Sequence, residues 1–532
     1  MPNESSSPQD PSGPVLLQSF LGGQWVRGDD SPIPLHNPAT GDVVARLSPG
    51  RADLAQALQF ARGQGGPALR GLTFAARAQL LGRIAEVLNA ERGRWLEIAR
   101  INSGNTAADA AIDIDGAIGT LKYFAKLGGQ IGEVQLLTDG DSGRIARDPN
   151  LEALHIGVPL NGVAVHINAF NFPAWGLWEK AAVSLLAGVP VLAKPATATA
   201  WLAHDMVATV VDQAGLPPGS LSLLAGPVGG LLDHVGLGDV VAFTGSAGTA
   251  QRLRAHAAFS RGVRLNLETD SVNAAILGPG QRVDAPAFTL LCREIVREMT
   301  SKAGQKCTAI RRVLVPRDMQ AAIDDALGAE LARVIAGDPA NTTVTMGPLA
   351  TLAQRAAVED GIAALSGDCD VTFRGDPRAL VDADPARGAF VLPTLLRASA
   401  RSSSPHQVEV FGPVATTIPY SSEDELFALA RAGGGSLAAS VFSDDTQFLG
   451  RAAVALGSTH GRLLLVDPSI GDSHAGHGIV LPSCTHGGPG RAGGGEELGG
   501  LRGLWLYHQR VAVQTSREVI GGLKSRGYNT WQ

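Results

Sequence analysis

The chain has 532 residues, 45% of them hydrophobic and 18% charged, with a formal net charge of −6. That is an ordinary globular balance with length for several domain-sized units and a large core. An acidic sum without a clustered basic surface excludes a nucleic-acid partner and a polybasic membrane partner.

Residues 1–13 are rich in Ser and Pro and lack a basic region followed by an apolar stretch, so they read as a disordered start and not as a secretory signal. Between 51 and 128, apolar positions such as Ala75, Ala78, Leu81, Ile84 and Leu88 recur at helical spacing, predicting covering helices. A polar segment over 137–159 alternates weakly, as a hairpin does. From 160 to 280 short apolar runs alternate with amphipathic stretches. Strands are expected at 163–167, 189–193, 221–224 and 240–243, and helices at 198–213 and 247–258. Repeated strand and helix units of this length imply a doubly wound parallel sheet. Residues 285–470 repeat the texture, with helices expected at 288–301 and 319–336 around a strand at 312–315, and so imply a second α/β unit. No run of 18 or more apolar residues occurs, which excludes a conventional transmembrane helix.

Residues 486–500 hold eight glycines in fifteen positions. Because the run lies between structured segments and contains Arg491, it reads as a loop whose backbone comes close to another part of the protein. The tail over 504–514 alternates, with Trp505, Tyr507, Val511 and Val513 on one side.

Four cysteines occur, Cys292, Cys307, Cys369 and Cys484, without CxxC or Cys/His ligand spacing. No disulfide framework and no metal site is expected, and a reducing cytoplasm fits best. Cys307 stands out within Gly304-Gln305-Lys306-Cys307-Thr308. The thiolate is the reactive form of cysteine, and Lys306 and Lys302 are expected to favour it. Gly245-Ser246 follows an expected strand and opens an expected helix, where amides and the positive helix end can face a pyrophosphate.

Taken in order, Asn171-Phe172-Pro173, Lys194-Pro195, Phe243-Thr244-Gly245-Ser246, Glu268, the Cys307 pentapeptide and Glu409-Val410-Phe411-Gly412-Pro413 resemble the ordered signatures of the NAD(P)-dependent aldehyde dehydrogenase superfamily. The resemblance runs from Gly22-Gly23-Gln24-Trp25 to the tail. It implies an α/β fold with a Rossmann-like cofactor domain (14–136 and 160–280), an α/β catalytic domain (281–490) and a small oligomerisation hairpin with the chain's end (137–159 and 504–532). It further implies a homodimer or homotetramer.

The resemblance also assigns roles. Cys307 matches the nucleophile that adds to an aldehyde carbonyl, Asn171 the oxyanion donor, and Glu268 the general base that activates water against the resulting thioester. Lys194 and Thr197 match the loop that holds the adenosine ribose, Gly245 and Ser246 the pyrophosphate turn, and Glu409 and Phe411 the residues at the nicotinamide ribose and ring. Glu268 points to a hydrolytic enzyme and away from a CoA-acylating one.

Three departures stand out. Glu268 is followed by Thr-Asp-Ser where the family has Leu-Gly-Gly, Ala250 stands where a glycine is usual, and Thr197 stands where NAD-preferring members carry Glu. The last change implies NADP as cofactor, since a ribose 2′-phosphate then meets no carboxylate. The wording of residues 167–173 and 302–312, together with the Gly-rich run, is similar to the branch that oxidises CoA-thioester semialdehydes in aerobic benzoate and phenylacetate degradation. No residue by itself identifies a CoA site. A semialdehyde dehydrogenase without a CoA handle and a catalytically silent, dehydrogenase-like binding protein stand as alternatives, and intact Cys307, Glu268 and Asn171 weigh against the second.

Overall fold

Short strands that bury both faces need helices on both sides, and helices from 54–131 together with those from the 160–280 segment supply them. The computed structural model describes residues 14–28, 31–48 and 53–531, so the expected disordered start lies outside the described residues. The chain forms the expected α/β architecture. Its first sheet has seven strands, in the order Arg264–Glu268, Val240–Thr244, Ala164–Ile167, Val191–Lys194, Leu221–Leu223, Ser19–Leu21 and Gln24–Val26. The first five are mutually parallel, and the last two form an antiparallel edge.

Side chains alternate across this sheet as a pleated strand requires. Ala164, Val191, Ala193, Leu221 and Leu223 pack with the helices Phe74–Ala90, Ala107–Ile131 and Trp175–Ala187. Val165, Ile167, Leu192, Val241 and Phe243 face the opposite core, with Leu58 and Leu253.

After Ala164–Ile167 the chain builds outward through Val191–Lys194 and Leu221–Leu223, then returns to place Val240–Thr244 on the other side of its starting strand. That reversal is a topological switch point, and open α/β sheets bind ligands in the crevice at the carboxyl ends there. Register aligns Ile167 with Lys194 and with Phe243, and Thr244 with Glu268, so all lie along one sheet edge.

The second sheet also has seven strands: Cys369–Arg374, Thr394–Ala398, Val414–Tyr420, Ile310–Pro316, Asn273–Leu277, Ser436–Phe442 and His460–Val466. Only Cys369–Arg374 runs antiparallel to its neighbour. Asn273–Leu277, which falls inside the 160–280 segment expected for the cofactor domain, pairs in this second sheet, so the chain crosses between sheets over residues 269–272. A third sheet joins Leu151–Pro159 to His508–Ser516, antiparallel along the full length of both, with the short strands Leu136–Thr138 and Gly143–Arg144 beside it.

Local details differ from the periodicity reading. The helix expected over 247–258 breaks into Ala247–Arg254 and Ala257–Ser260, because His256 adopts an extended backbone and its ring nitrogen accepts from the Ala258 amide. The helix expected over 319–336 stops at Leu331, and the chain beyond it makes isolated bridges from Ala336 to Met346 and from Gly337 to Val381. The Gly-rich run is not a featureless loop: Thr485–Gly487 pairs antiparallel with Glu496–Leu498 in a small hairpin.

Candidate active site

The site forms where the carboxyl edge of the first sheet meets the amino edge of the second. Glu268 ends its strand and is buried. Asn171 follows Ala164–Ile167, and Gly245-Ser246 follows Val240–Thr244. Facing them, Cys307 precedes Ile310–Pro316, while Glu409 and Phe411 precede Val414–Tyr420. These two loops touch at Gly304, whose φ of +70° suits glycine and where a Cβ would lie 2.1 Å from the Gly412 carbonyl oxygen. Asn273 fixes the nucleophile's backbone by donating to the carbonyls of Cys307 at 2.8 Å and Ala309 at 3.0 Å.

Two cavities meet at Cys307. One, of about 350 Å³, is lined by Asn171, Gly245, Ser246, Glu268, Cys307, Glu409 and Phe411. The other, of about 50 Å³, shares Asn171, Glu268 and Cys307 and is closed by Phe172, Trp175, Val480 and His486. Of the remaining sequence candidates, Thr197 lines a separate cavity of about 590 Å³ with His36 and Arg387. Lys194 ends its strand, buried, and burial draws its amine below the usual lysine range.

The surroundings of Cys307 differ from the sequence expectation. Lys306 does not face the thiol: its Nζ is 2.7 Å from Glu298 Oε1 in a buried pair. Lys302 lies in a turn with positive φ, and its Nζ sits 4.7 Å from the Phe172 ring centroid. The thiol is instead held well above the usual cysteine range by burial, by the charge and hydrogen bond of Glu268 and by Glu179, with Arg462 opposing. It therefore rests as a thiol beside a carboxylate, and Glu268 is the group within reach of its proton.

Glu268 has a partner that sequence reasoning did not find. His486 Nε2 lies 3.0 Å from Glu268 Oε1, and both side chains are only 4% exposed. Reactive atoms of Glu268, Cys307 and His486 all lie within 4.8 Å of one another. Burial works to raise the Glu268 carboxyl. The charge and hydrogen bond of His486, then Lys180 and the Cys307 thiol, hold it far below the usual carboxylate range. On the far side, Lys180 Nζ is 3.1 Å from Glu179 and 2.8 Å from Glu497. The signal for His486 lay in the Gly-rich run, whose backbone packs on the Glu268 strand. Gly495 donates to Leu267 O at 3.1 Å, Thr269 donates to Ala492 O at 3.0 Å, and a Cβ on Gly493 would sit 2.3 Å from Leu267 O.

Asn171 Nδ2 donates to the Gln305 carbonyl at 2.9 Å, which orients the amide and leaves its second hydrogen for a substrate oxygen. The larger cavity fits a nicotinamide cofactor at its reactive end. Phe411 offers an aromatic wall braced by Phe170, at 5.8 Å between centroids, and Glu409 offers a carboxyl that burial pushes up to about 7 against the charge of Arg311. The pyrophosphate end is less open than the sequence implied. Among the first amides of helix Ala247–Arg254, that of Ala247 is bonded to Asp270 at 2.8 Å and that of Thr249 to Ser246. The Asp in Glu-Thr-Asp-Ser is thus the helix's acidic cap.

Comparison with known proteins sets this geometry in context. The aldehyde dehydrogenase family model matches residues 25–474. The 3,4-dehydroadipyl-CoA semialdehyde dehydrogenase of Aromatoleum evansii is 50% identical over 479 residues, 89% of this chain and 93% of the relative. Protein MaoC of Klebsiella aerogenes is 42% identical over 178 residues, 33% of this chain and 52% of MaoC. Among solved structures, lactaldehyde dehydrogenase from Escherichia coli superposes with a TM-score of 0.82 at 24% identity, covering 94% of this chain and 99% of its own. A cysteine-to-alanine mutant of aldehyde dehydrogenase C from Pseudomonas syringae, in complex with NAD+ and octanal, gives a TM-score of 0.80 at 24% identity over 96% and 98%. These two show the shared fold. With a family model spanning most of its length and a half-identical relative over nearly all of it, the chain belongs to the aldehyde dehydrogenase family, oxidoreductases that use NAD(P).

Proposed function

We propose that this enzyme oxidises the aldehyde end of a CoA-thioester semialdehyde, 3,4-dehydroadipyl-CoA semialdehyde, to the carboxylic acid in benzoate degradation, with NADP as cofactor. The observation that carries the reading is the 50% identity, over 89% of this chain, to the Aromatoleum evansii enzyme of that name. The site geometry supports the chemistry. In this reading Glu268 accepts the Cys307 proton, Sγ adds to the aldehyde carbon, and the oxyanion is met by the Asn171 amide and the Cys307 backbone N–H. The bound nicotinamide supplies the hydride acceptor, with Glu409 and Phe411 holding its ribose and ring. Loss of hydride leaves a thioester on Cys307; Glu268 releases the thiol's proton to solvent, and water then adds to the acyl carbon as Glu268 takes the water's proton and passes it to the departing sulfur. The acid then departs and the thiol is restored.

Preference for NADP is supported by Thr197, which presents a hydroxyl and no carboxylate where the adenosine ribose is expected, with Lys194 three positions earlier. One kinetic comparison tests substrate and cofactor together. The specificity constant is expected to be much larger for the CoA-linked semialdehyde than for the free six-carbon semialdehyde, because binding energy from the remote CoA assists the reacting centre. It is also expected to be larger with NADP than with NAD, and Thr197→Glu should reduce the NADP:NAD ratio by about tenfold or more through like-charge repulsion. Equal constants for the two semialdehydes would leave a semialdehyde dehydrogenase without a CoA handle. A parent that favours NAD would remove the cofactor assignment.

A second copy of the chain is the proposed protein partner, giving a homodimer or homotetramer. His508–Ser516 is a nine-residue strand at the edge of its sheet, with Gln509 to Ala512 exposed, and such an edge is a template for pairing. Sedimentation is expected to give a mass of two or four chains, and a monomer at micromolar concentration would count against it. Among the described residues no helix is long and apolar enough to cross a membrane, and all four cysteines are free. The free thiols support the proposed cytoplasmic location.

A further inference from the structure

We infer that His486 is a positioning residue for the general base: its Nε2–H holds Glu268 Oε1 beside the Cys307 acyl site, ionised and oriented to take a proton from the hydrolytic water. The inference rests on the reading of Glu268 as that base. His486 lies beyond residues 25–474, the segment the family model matches, and reaches Glu268 from the hairpin strand Thr485–Gly487.

Charged and titratable groups face the base from every side. Glu179 and Lys180 approach it from helix Trp175–Ala187, Glu497 from the hairpin's second strand, Arg462 from strand His460–Val466, and Cys307 from the nucleophile loop. Lys180 is already bonded to both Glu179 and Glu497. The buried Glu268 therefore sits near two other carboxylates, with Lys180 paired to both of them and acting on Glu268 through its charge alone. Burial favours its protonated form, which is useless as a base. The charge and 3.0 Å contact of His486 oppose this most strongly, ahead of Lys180 and the Cys307 thiol. Its effect is mutual: burial alone would lower the imidazole, but Glu268 by charge and hydrogen bond, and then Glu179, raise it above the usual histidine range, with Arg462 opposing. Each partner thus shifts the other toward its charged form.

The second carboxylate oxygen, Oε2, accepts from Thr244 Oγ1 at 3.3 Å, so the group is held at both ends across the junction of the two cavities. In the hydrolytic step the water oxygen bonds to the acyl carbon, the carbon–sulfur bond breaks, and one water proton passes to Glu268, from which the departing thiolate recovers it. No other reactant is needed. His486 donates no proton in the net reaction. It acts by keeping Glu268 in the form that accepts one.

Removing His486 takes away the charge and hydrogen bond that lower the Glu268 carboxyl, so the base becomes protonated at a pH where the parent is still ionised. Deacylation should then fall on the acid side and recover as pH rises. Hexanal with excess NADP, followed in full-length parent, His486→Ala and His486→Gln, provides the readout. In His486→Ala the burst of about one equivalent of reduced cofactor persists, kcat at pH 7 falls roughly tenfold to a hundredfold, KM for hexanal changes little, and the acid limb of kcat moves toward neutral pH. In His486→Gln the donor is kept without the charge, so the rate at high pH recovers while the acid limb stays raised.

A purely structural role would lower burst and steady state together and leave the limb in place. An acid limb equal to the parent's in His486→Gln would overturn the inference, and this holds even if His486→Ala does not fold. Glu268→Gln, measured alongside, separates the two layers. Parent-like steady-state turnover in Glu268→Gln removes the base reading itself. A stalled Glu268→Gln with unmoved limbs in the His486 variants removes only the role of His486.

Discussion

Cys307→Ala is expected to fold, to bind its nicotinamide cofactor, and to lose aldehyde-dependent cofactor reduction by more than about 10³-fold in turnover. The loss is this large because an aldehyde carbon is no hydride donor until a nucleophile has added to it, and no other thiol can stand in. Cys292 is buried in a core against the second sheet, with its thiol pushed up to about 12 by burial. The Cys369 thiol is pushed up to about 11, chiefly by burial, and Cys484 is exposed in the segment before the hairpin. Replacing any of these three should leave turnover within a few-fold of the parent. Cofactor binding is expected to persist in Cys307→Ala because Sγ is a small part of a cavity whose far wall is Glu409 and Phe411. Fluorescence titration with the cofactor, beside an absorbance assay for the reduced nicotinamide, reads both halves. Turnover above a few per cent of the parent would mean that hydride transfer does not pass through a thiohemiacetal on Cys307.

Glu268→Gln should separate the two halves of the reaction. Glutamine matches the size of glutamate but cannot accept a proton from water, so the thioester is expected to form and then persist. Rapid mixing should give a burst of about one equivalent of reduced cofactor, followed by a steady rate lowered by about 10²-fold to 10⁴-fold. The burst's amplitude is the diagnostic and its rate is not. Because the Cys307 thiol is held high by burial and by Glu268 itself, losing this carboxylate also changes how readily the thiolate forms. Intact-mass measurement of the stalled protein should find the acyl group attached. A parent-like steady state would remove Glu268 from the hydrolytic step.

The fold was legible because both its rules are local. The strands near 163–167, 189–193, 221–224 and 240–243 were marked by short apolar runs between Gly and Pro, and the observed strands begin or end within two residues of those bounds. The failures were also local. His256 capping its own following turn and the chain leaving the helix after Leu331 depend on single side chains and distant bridges that helical periodicity does not record. Around the candidate site, short contiguous motifs marked Cys307, Asn171, Gly245, Ser246, Glu409 and Phe411, which the structure brings into one cavity. Charge pairing was not legible. Lys306 neighbours Cys307 in sequence yet pairs with Glu298, one helix earlier, because the chain turns between Ser301 and Gly304. His486 neighbours nothing reactive in sequence and meets Glu268 from 218 positions away.

That separation bears on the order in which the molecule is completed. Closing a contact across so many residues carries an entropy cost that only tertiary structure can offset. Both large sheets and the Cys307 loop are encoded ahead of the hairpin Thr485–Gly487 and Glu496–Leu498. The hairpin's glycine backbone lies on Leu267 and Thr269, and its His486 forms one wall of the smaller cavity. The hairpin acts as a latch across the site, supplying the partner of Glu268 and one cavity wall from a segment encoded after both large sheets.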